Sequence, residues 1–235
     1  MKLQNRRKLI TLMTIIILLT SILFTDVKSC VSAHENGSKK TILIDPGHGG
    51  IDGGAQSKSG ICEKDINLSI SKKLKDMLEN NGYKVIMTRE KDIGLYDDNK
   101  TIRQKKVQDL SRRCQLKKDS NCNLFISIHL NMFSETAYSG AQVWYSRNPE
   151  SKGIAAIIQQ NLKRDLDPNN NRKEKAALDS YKVLRCNDSM PSIIVECGFL
   201  SNVSEEQKLK TDEYQTKIAK SLFNSIDQYF NSSKQ

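Results

Sequence analysis

TILIDPGHGGIDGG, residues 41–54, is the stretch that decides how the 235-residue chain is read. Thr41–Ile44 is β-branched and apolar, the mark of a buried strand. Asp45-Pro46-Gly47 ends it, because proline has no N–H for a sheet ladder and glycine permits a tight path. His48 then stands on the loop past the strand's C-terminal end, the edge at which open α/β sheets bind ligands.

Outward from that strand the pattern repeats. Ile66, Ile70, Leu74, Met77 and Leu78 recur at helical spacing from about Asp65, and Asn81-Gly82 closes the helix. Tyr83–Thr88 reads as a strand. A strand–helix–strand unit favours a parallel sheet covered by helices. A basic helix follows over about 101–118, with Ile102, Val107, Leu110 and Cys114 as its apolar positions and its Lys and Arg residues as a solvated face. Asn123–Ile128 and Ala141–Tyr145 read as strands, 151–166 as an amphipathic helix and 167–175 as a polar loop. Tyr181–Arg185 and Ser192–Val195 read as two more strands, and 212–230 as the last helix. The expectation is one α/β domain whose six strands form a sheet covered by helices.

The chain ends differ in character. Lys2, Arg6, Arg7 and Lys8 precede the apolar run Leu9–Phe24, which is short for a membrane span of about 20 residues. Residues 1–33 therefore read as a signal peptide, with Val31-Ser32-Ala33 as the cleavage site, or as an N-terminal membrane anchor. A lipoprotein reading through Cys30 is weakened by Lys28, where such signals prefer a small residue. Residues 34–40 are then a linker, 41–230 the domain and 231–235 a tail. The domain is expected outside the cytoplasm, touching membrane only through its N-terminal segment.

The net charge is +10, of which residues 34–235 carry +6. That suits an anionic partner such as a cell-wall polymer or a membrane surface. No compact basic and aromatic cluster speaks for nucleic acid. Cleavage after Ala33 leaves five of the six cysteines, an odd number that no complete disulfide framework uses. Cys114 and Cys122 are near enough in sequence to bridge, although the plainer reading of each cysteine is a small buried hydrophobe.

Chemistry-bearing residues collect at element ends. His48, His129 and Glu196 each follow a strand, and Glu63 precedes a helix. Parallel neighbouring strands would bring these ends to one sheet edge. Two histidines and a carboxylate with an open fourth position make a catalytic zinc site. A further carboxylate outside the coordination sphere could carry protons. Taken singly, each is more simply a hydrogen-bonded loop residue, and the wide spacing fixes no metal site by itself.

The motifs IDPGHGGIDGGA at 44–55, Glu63-Lys64, TRExD at 88–92, FISIHLN at 125–131 and VECGFLSN at 195–202 together resemble the zinc-dependent N-acetylmuramoyl-L-alanine amidases of the type 3 family. The resemblance spans about 41–230 and implies an α/β fold with a twisted, mostly parallel six-stranded sheet flanked by helices, in agreement with the strand count above. It implies one zinc ion per chain held by His48, Glu63 and His129, with Glu196 as catalytic acid/base. The reaction implied is hydrolysis of the amide joining N-acetylmuramic acid to L-alanine in peptidoglycan.

The segment IRQKKVQDLSRR and SGAQVWYS further resemble the spore-cortex branch of that family. That branch implies a route to muramic-δ-lactam and germination, a cooperating deacetylase and an accessory lipoprotein. Two departures stand out: Lys117-Lys118, where relatives often have Ala-Asn, and Cys197 beside Glu196, a buried thiol or a soft alternative ligand. A wall-binding module without catalysis and a zinc peptidase are the competing classes. Retention of all four motif residues opposes the first, and the missing HExxH opposes the second.

Overall fold

The computed structural model describes residues 40–232; the expected leader (1–33), nearly all of the linker and the last three residues lie outside them. Six strands form one sheet in the order β2-β1-β3-β6-β4-β5. They are β1 (Thr41–Pro46), β2 (Lys84–Met87), β3 (Leu124–Asn131), β4 (Gln142–Tyr145), β5 (Lys175–Ala176) and β6 (Ser192–Phe199). The pairs β2·β1, β1·β3, β3·β6 and β4·β5 run parallel, and only β4·β6 is antiparallel.

Among the described residues six helices cover it: α1 (Glu63–Asn80), α2 (Ile102–Asp119), α3 (Ser151–Leu166), α4 (Lys182–Arg185), α5 (Val203–Leu209) and α6 (Asp212–Ser232). The main core lies between one sheet face and α1, α3 and α6. Ile42, Ile44, Ile126, Ile128 and Val195 meet Ile70, Leu74, Ile158, Leu222 and Ile226 there, all fully buried. Each such side chain contributes roughly 1.5–3 kcal/mol by leaving water. The other face is thinner: Leu43, Phe125 and Ile194 pack against Val183, Leu184 and Met190.

Three expectations change. Tyr181–Arg185 does not form a strand: Lys182–Arg185 is a single helical turn, and the sixth strand is instead Lys175–Ala176, at the end of the stretch read as a loop. The turn is fixed from outside by a disulfide between Cys114 and Cys186, which replaces the Cys114–Cys122 pairing; Cys122 is a buried free thiol.

The face of α2 is also inverted. Ile102, Val107 and Leu110 are 68, 57 and 40% exposed, while Arg113 and Lys117 are buried. The helix meets the protein chiefly through its long cationic side chains, which reach backbone carbonyls. Lys117 Nζ donates to the carbonyls of Val183 (3.0 Å) and Cys186 (2.9 Å) and lies 5.0 Å from the Phe125 ring. Burial pulls its pKa down to about 8. No helix among the described residues is long and apolar enough to cross a membrane.

Candidate metal centre

The sheet brings His48, Glu63, His129 and Glu196 to one edge. β3 and β6 run further than expected, so His129 and Glu196 lie within strands and face each other in register. A register shift just beyond His129 marks where the pairing breaks. Glu63 is the first residue of α1, where a carboxylate also complements the helix dipole. Its side chain reaches back under the glycine loop.

His48 sits on that loop with φ 61°, a left-handed conformation uncommon for a residue with a side chain. Two buried arginines fix it. Arg113 donates to the carbonyls of Pro46 (2.9 Å) and His48 (2.6 Å), and Arg89 to those of Pro46 (3.0 Å) and Gly47 (2.9 Å). Arg113 also pairs with buried Asp45. Burial alone would raise the Asp45 pKa, but the guanidinium and the Thr88 and Ser127 hydroxyls hold it below the ordinary carboxylate value. Two glycines leave space that side chains would fill: a Cβ on Gly47 would strike the His129 ring, and one on Gly54 would strike Glu63 and His48.

The three candidate ligands converge. His48 Nε2 lies 3.2 Å from one Glu63 oxygen and His129 Nδ1 lies 3.0 Å from the other. All three ligand atoms fall within 4.8 Å of one another. Bonds of about 2.0–2.1 Å to a tetrahedral ion separate donor atoms by roughly 3.3 Å, so the spacing and the two-histidine, one-carboxylate set fit zinc. The unused Nδ1 of His48 meets Asp52 at 2.8 Å, and Asp52 in turn meets Lys106 at 2.9 Å. A carboxylate behind a histidine fixes its tautomer and orientation. Although burial opposes it, Asp52 and Glu63 push the His48 pKa up to about 9.

The two glutamates are treated oppositely. Glu63 accepts from the N–H groups of Ala55 (2.8 Å) and Leu130 (2.9 Å), from Asn67 (3.2 Å) and from His129. Burial works to raise its pKa, yet the two imidazoles outweigh it and hold the carboxyl well below the ordinary range. Glu196 is 7% exposed and its Oε2 has no hydrogen-bond partner. Burial pushes its pKa up to about 7, with His129 and His48 opposing and Glu63 assisting. A carboxyl of that strength can exchange protons near neutral pH.

Cys197 points into the main core, away from Glu196, and burial pushes its thiol pKa up, which removes it as a soft ligand. Asn131 contributes its carbonyl to Leu200 N–H (2.9 Å). Arg113 reads from the sequence as a neighbour of the site or as a structural hydrogen-bonding residue, and here it holds the loop; Arg89 and Asp52 are the participants that motif reading does not single out. The only signal for them is that each lies inside a motif-bearing stretch. An open cleft of about 270 Å³ leads from His48 and His129 between α2 and Ser180–Val183.

The family model described as N-acetylmuramoyl-L-alanine amidase matches residues 42–228. The germination-specific N-acetylmuramoyl-L-alanine amidase of Bacillus subtilis is 40% identical over 195 residues, 82% of this chain and 81% of that protein. The solved CwlD amidase of Clostridioides difficile, in complex with the GerS lipoprotein, is 44% identical with a TM-score of 0.80, covering 83% of this chain and 100% of that one. An N-acetylmuramoyl-L-alanine amidase from Clostridium difficile is 31% identical with a TM-score of 0.70, covering 83% of this chain and 99% of that one. By sequence and by fold, then, the chain belongs to the type 3 N-acetylmuramoyl-L-alanine amidase family.

Proposed function

We propose that the protein hydrolyses the amide between N-acetylmuramic acid and L-alanine in peptidoglycan with one zinc ion held by His48, Glu63 and His129. The observation that carries this is the convergence of two imidazole nitrogens on the two oxygens of one buried carboxylate, beside a second buried carboxylate with an unpartnered oxygen. Zinc bound there would supply Lewis acidity to the scissile carbonyl and bring the acidity of a water toward neutral pH.

The protein's own groups do the rest. Glu63 offsets part of the ion's charge and is kept ionised by its donors. Asp52 holds His48 with Nε2 turned inward. Glu196 accepts the proton of the attacking water and returns it to the departing L-alanine nitrogen. Its burial and its unpartnered Oε2 leave it free for both steps.

The likeness to a germination-specific amidase and to CwlD supports a place in the spore cortex, on the route to muramic-δ-lactam, with a deacetylase acting after stem removal. A lipoprotein partner is proposed on the same ground, since the CwlD structure contains one. Export follows from the substrate, with residues 1–33 as cleaved signal or anchor. Metal analysis and release of stem peptide from cortex peptidoglycan, on wild type beside His129→Ala, test the reading. Zinc near one per chain and stem release, both lost in the variant, are expected. Shortened stems with muramic acid still substituted would instead indicate a peptidase.

A further inference from the structure

Two surfaces of different chemistry leave the candidate metal centre in different directions. The first begins at the sheet. Register places Glu196 between His129 on β3 and Gln142 on β4. Gln142 Oε1 accepts from Arg172 (3.4 Å), whose guanidinium lies 4.5 Å from the Phe199 ring and 5.9 Å from Tyr138. Phe133 packs on Tyr138 and Phe199 with ring centroids 5.3 and 5.4 Å away.

Phe199 is buried, but Phe133 and Tyr138 are 46 and 47% exposed. Their exposure does not come from a loose loop. Its backbone is tied down by Phe133 N–H to Ser201 Oγ (3.2 Å), Asn202 Nδ2 to the Thr136 carbonyl (3.0 Å), Arg172 Nε to the Ser139 carbonyl (2.7 Å) and Gly140 N–H to Glu205 (2.9 Å). A held loop that presents two aromatic faces to water, reached from Glu196 by way of its strand neighbour Gln142 and then Arg172, offers a preformed platform.

The second surface is the cleft between α2 and Tyr181–Val183. Its walls are aliphatic at Leu110 and Val183 and carry Lys106, Arg113 and Lys182 beside Asp45, Asp52 and Asp109, of which Asp45 and Asp109 pair with Arg113. Lys106 is neutralised by Asp52. Lys182 Nζ donates to the Ser111 hydroxyl (2.8 Å), and among the described residues no carboxylate pairs with it.

The substrate proposed above has two arms of matching kinds, joined at the scissile amide. A hexosamine ring has an apolar C–H face that stacks on aromatic rings. A peptide stem beginning with alanine and carrying free carboxylates suits an aliphatic cleft that presents Lys182. We infer that the saccharide lies on the Phe133–Tyr138 platform and the acidic peptide lies in the α2–Lys182 cleft. The assignment rests on the amidase reading and adds the polarity with which substrate crosses the site.

Binding of the two product fragments separates the arms without relying on turnover. Dissociation constants of a stem-free glycan oligomer and of a free stem peptide are measured on the zinc-loaded protein. Phe133→Ala/Tyr138→Ala is expected to weaken glycan about ten-fold and leave peptide within about two-fold, while Tyr138→Trp alone keeps glycan binding within about two-fold of wild type. Lys182→Glu is expected to weaken peptide about ten-fold and spare glycan.

Zinc content and melting temperature of each variant check that the site survives. The assignment is overturned if the platform variant weakens peptide, if Lys182→Glu weakens glycan, or if wild type binds neither fragment at millimolar concentration. Failure of the amidase reading would show separately, as intact peptidoglycan left uncleaved by wild type.

Discussion

Glu63 and Glu196 are both buried carboxylates beside the same two histidines, and they are built for opposite tasks. Glu63 accepts hydrogen bonds on both oxygens from backbone, amide and imidazole donors, and stays charged. Glu196 has an oxygen with no donor and is pushed up to about 7. Burial acts to raise both. The difference is the number of donors brought to the carboxylate, which is what converts a costly charge into a fixed one. A fixed charge can hold a cation, whereas an unfixed one can trade its proton. The glycine loop with α1 thus forms the rigid half of the centre, and the end of β6 supplies the reactive half.

Breaking the rigid half is expected to have the largest effect. Glu63→Ala removes a proposed ligand and leaves the Ala55 and Leu130 N–H groups without their acceptor. Zinc content should fall to background and stem release with it, as measured by metal analysis and amidase assay. Breaking the reactive half, Glu196→Gln should lower turnover about 10²–10⁴-fold while zinc stays bound.

One step further out, Arg113→Ala strips buried Asp45 of its cation and removes the hydrogen bonds to the Pro46 and His48 carbonyls. A loss of about 3–5 kcal/mol in denaturant unfolding is expected, since a buried charge is left unpaired. Asp52→Asn should sharpen the comparison more gently. It weakens the group that orients His48, and zinc affinity should drop about 10–100-fold with the fold intact.

The smallest effect is graded with pH. Below about 9 the metal-free His48 carries a proton that zinc must displace. Zinc affinity should therefore fall as pH falls, about ten-fold per unit while one proton is released. Chelator competition at several pH values reads this directly, and a flat profile would mean that no proton leaves His48 when zinc binds.

The strands that carry the centre are legible in sequence because they are apolar runs, as at Thr41–Pro46 and Ser192–Phe199, although Glu196, read as the residue after the second run, lies within that strand. Two regions resist such reading, and for one reason: their order comes from distant partners. Tyr-Lys-Val-Leu-Arg has strand-like residues, yet the turn over Lys182–Arg185 is held by a disulfide spanning 72 residues and by Lys117. In α2 the hydrophobic period points outward, because cationic side chains satisfying carbonyls, rather than apolar burial, decide which face turns inward. Likewise Asp52 and Arg89 look like surface charges until the fold shows the carbonyls and the imidazole they serve.

The contrast between the two glutamates is tested most directly by zinc stoichiometry and amidase activity of Glu63→Gln and Glu196→Gln, prepared side by side with wild type. Glu63→Gln should lose both metal and activity. Glu196→Gln should retain about one zinc per chain and lose activity alone. Loss of zinc in Glu196→Gln, or its full retention in Glu63→Gln, would contradict the division of roles.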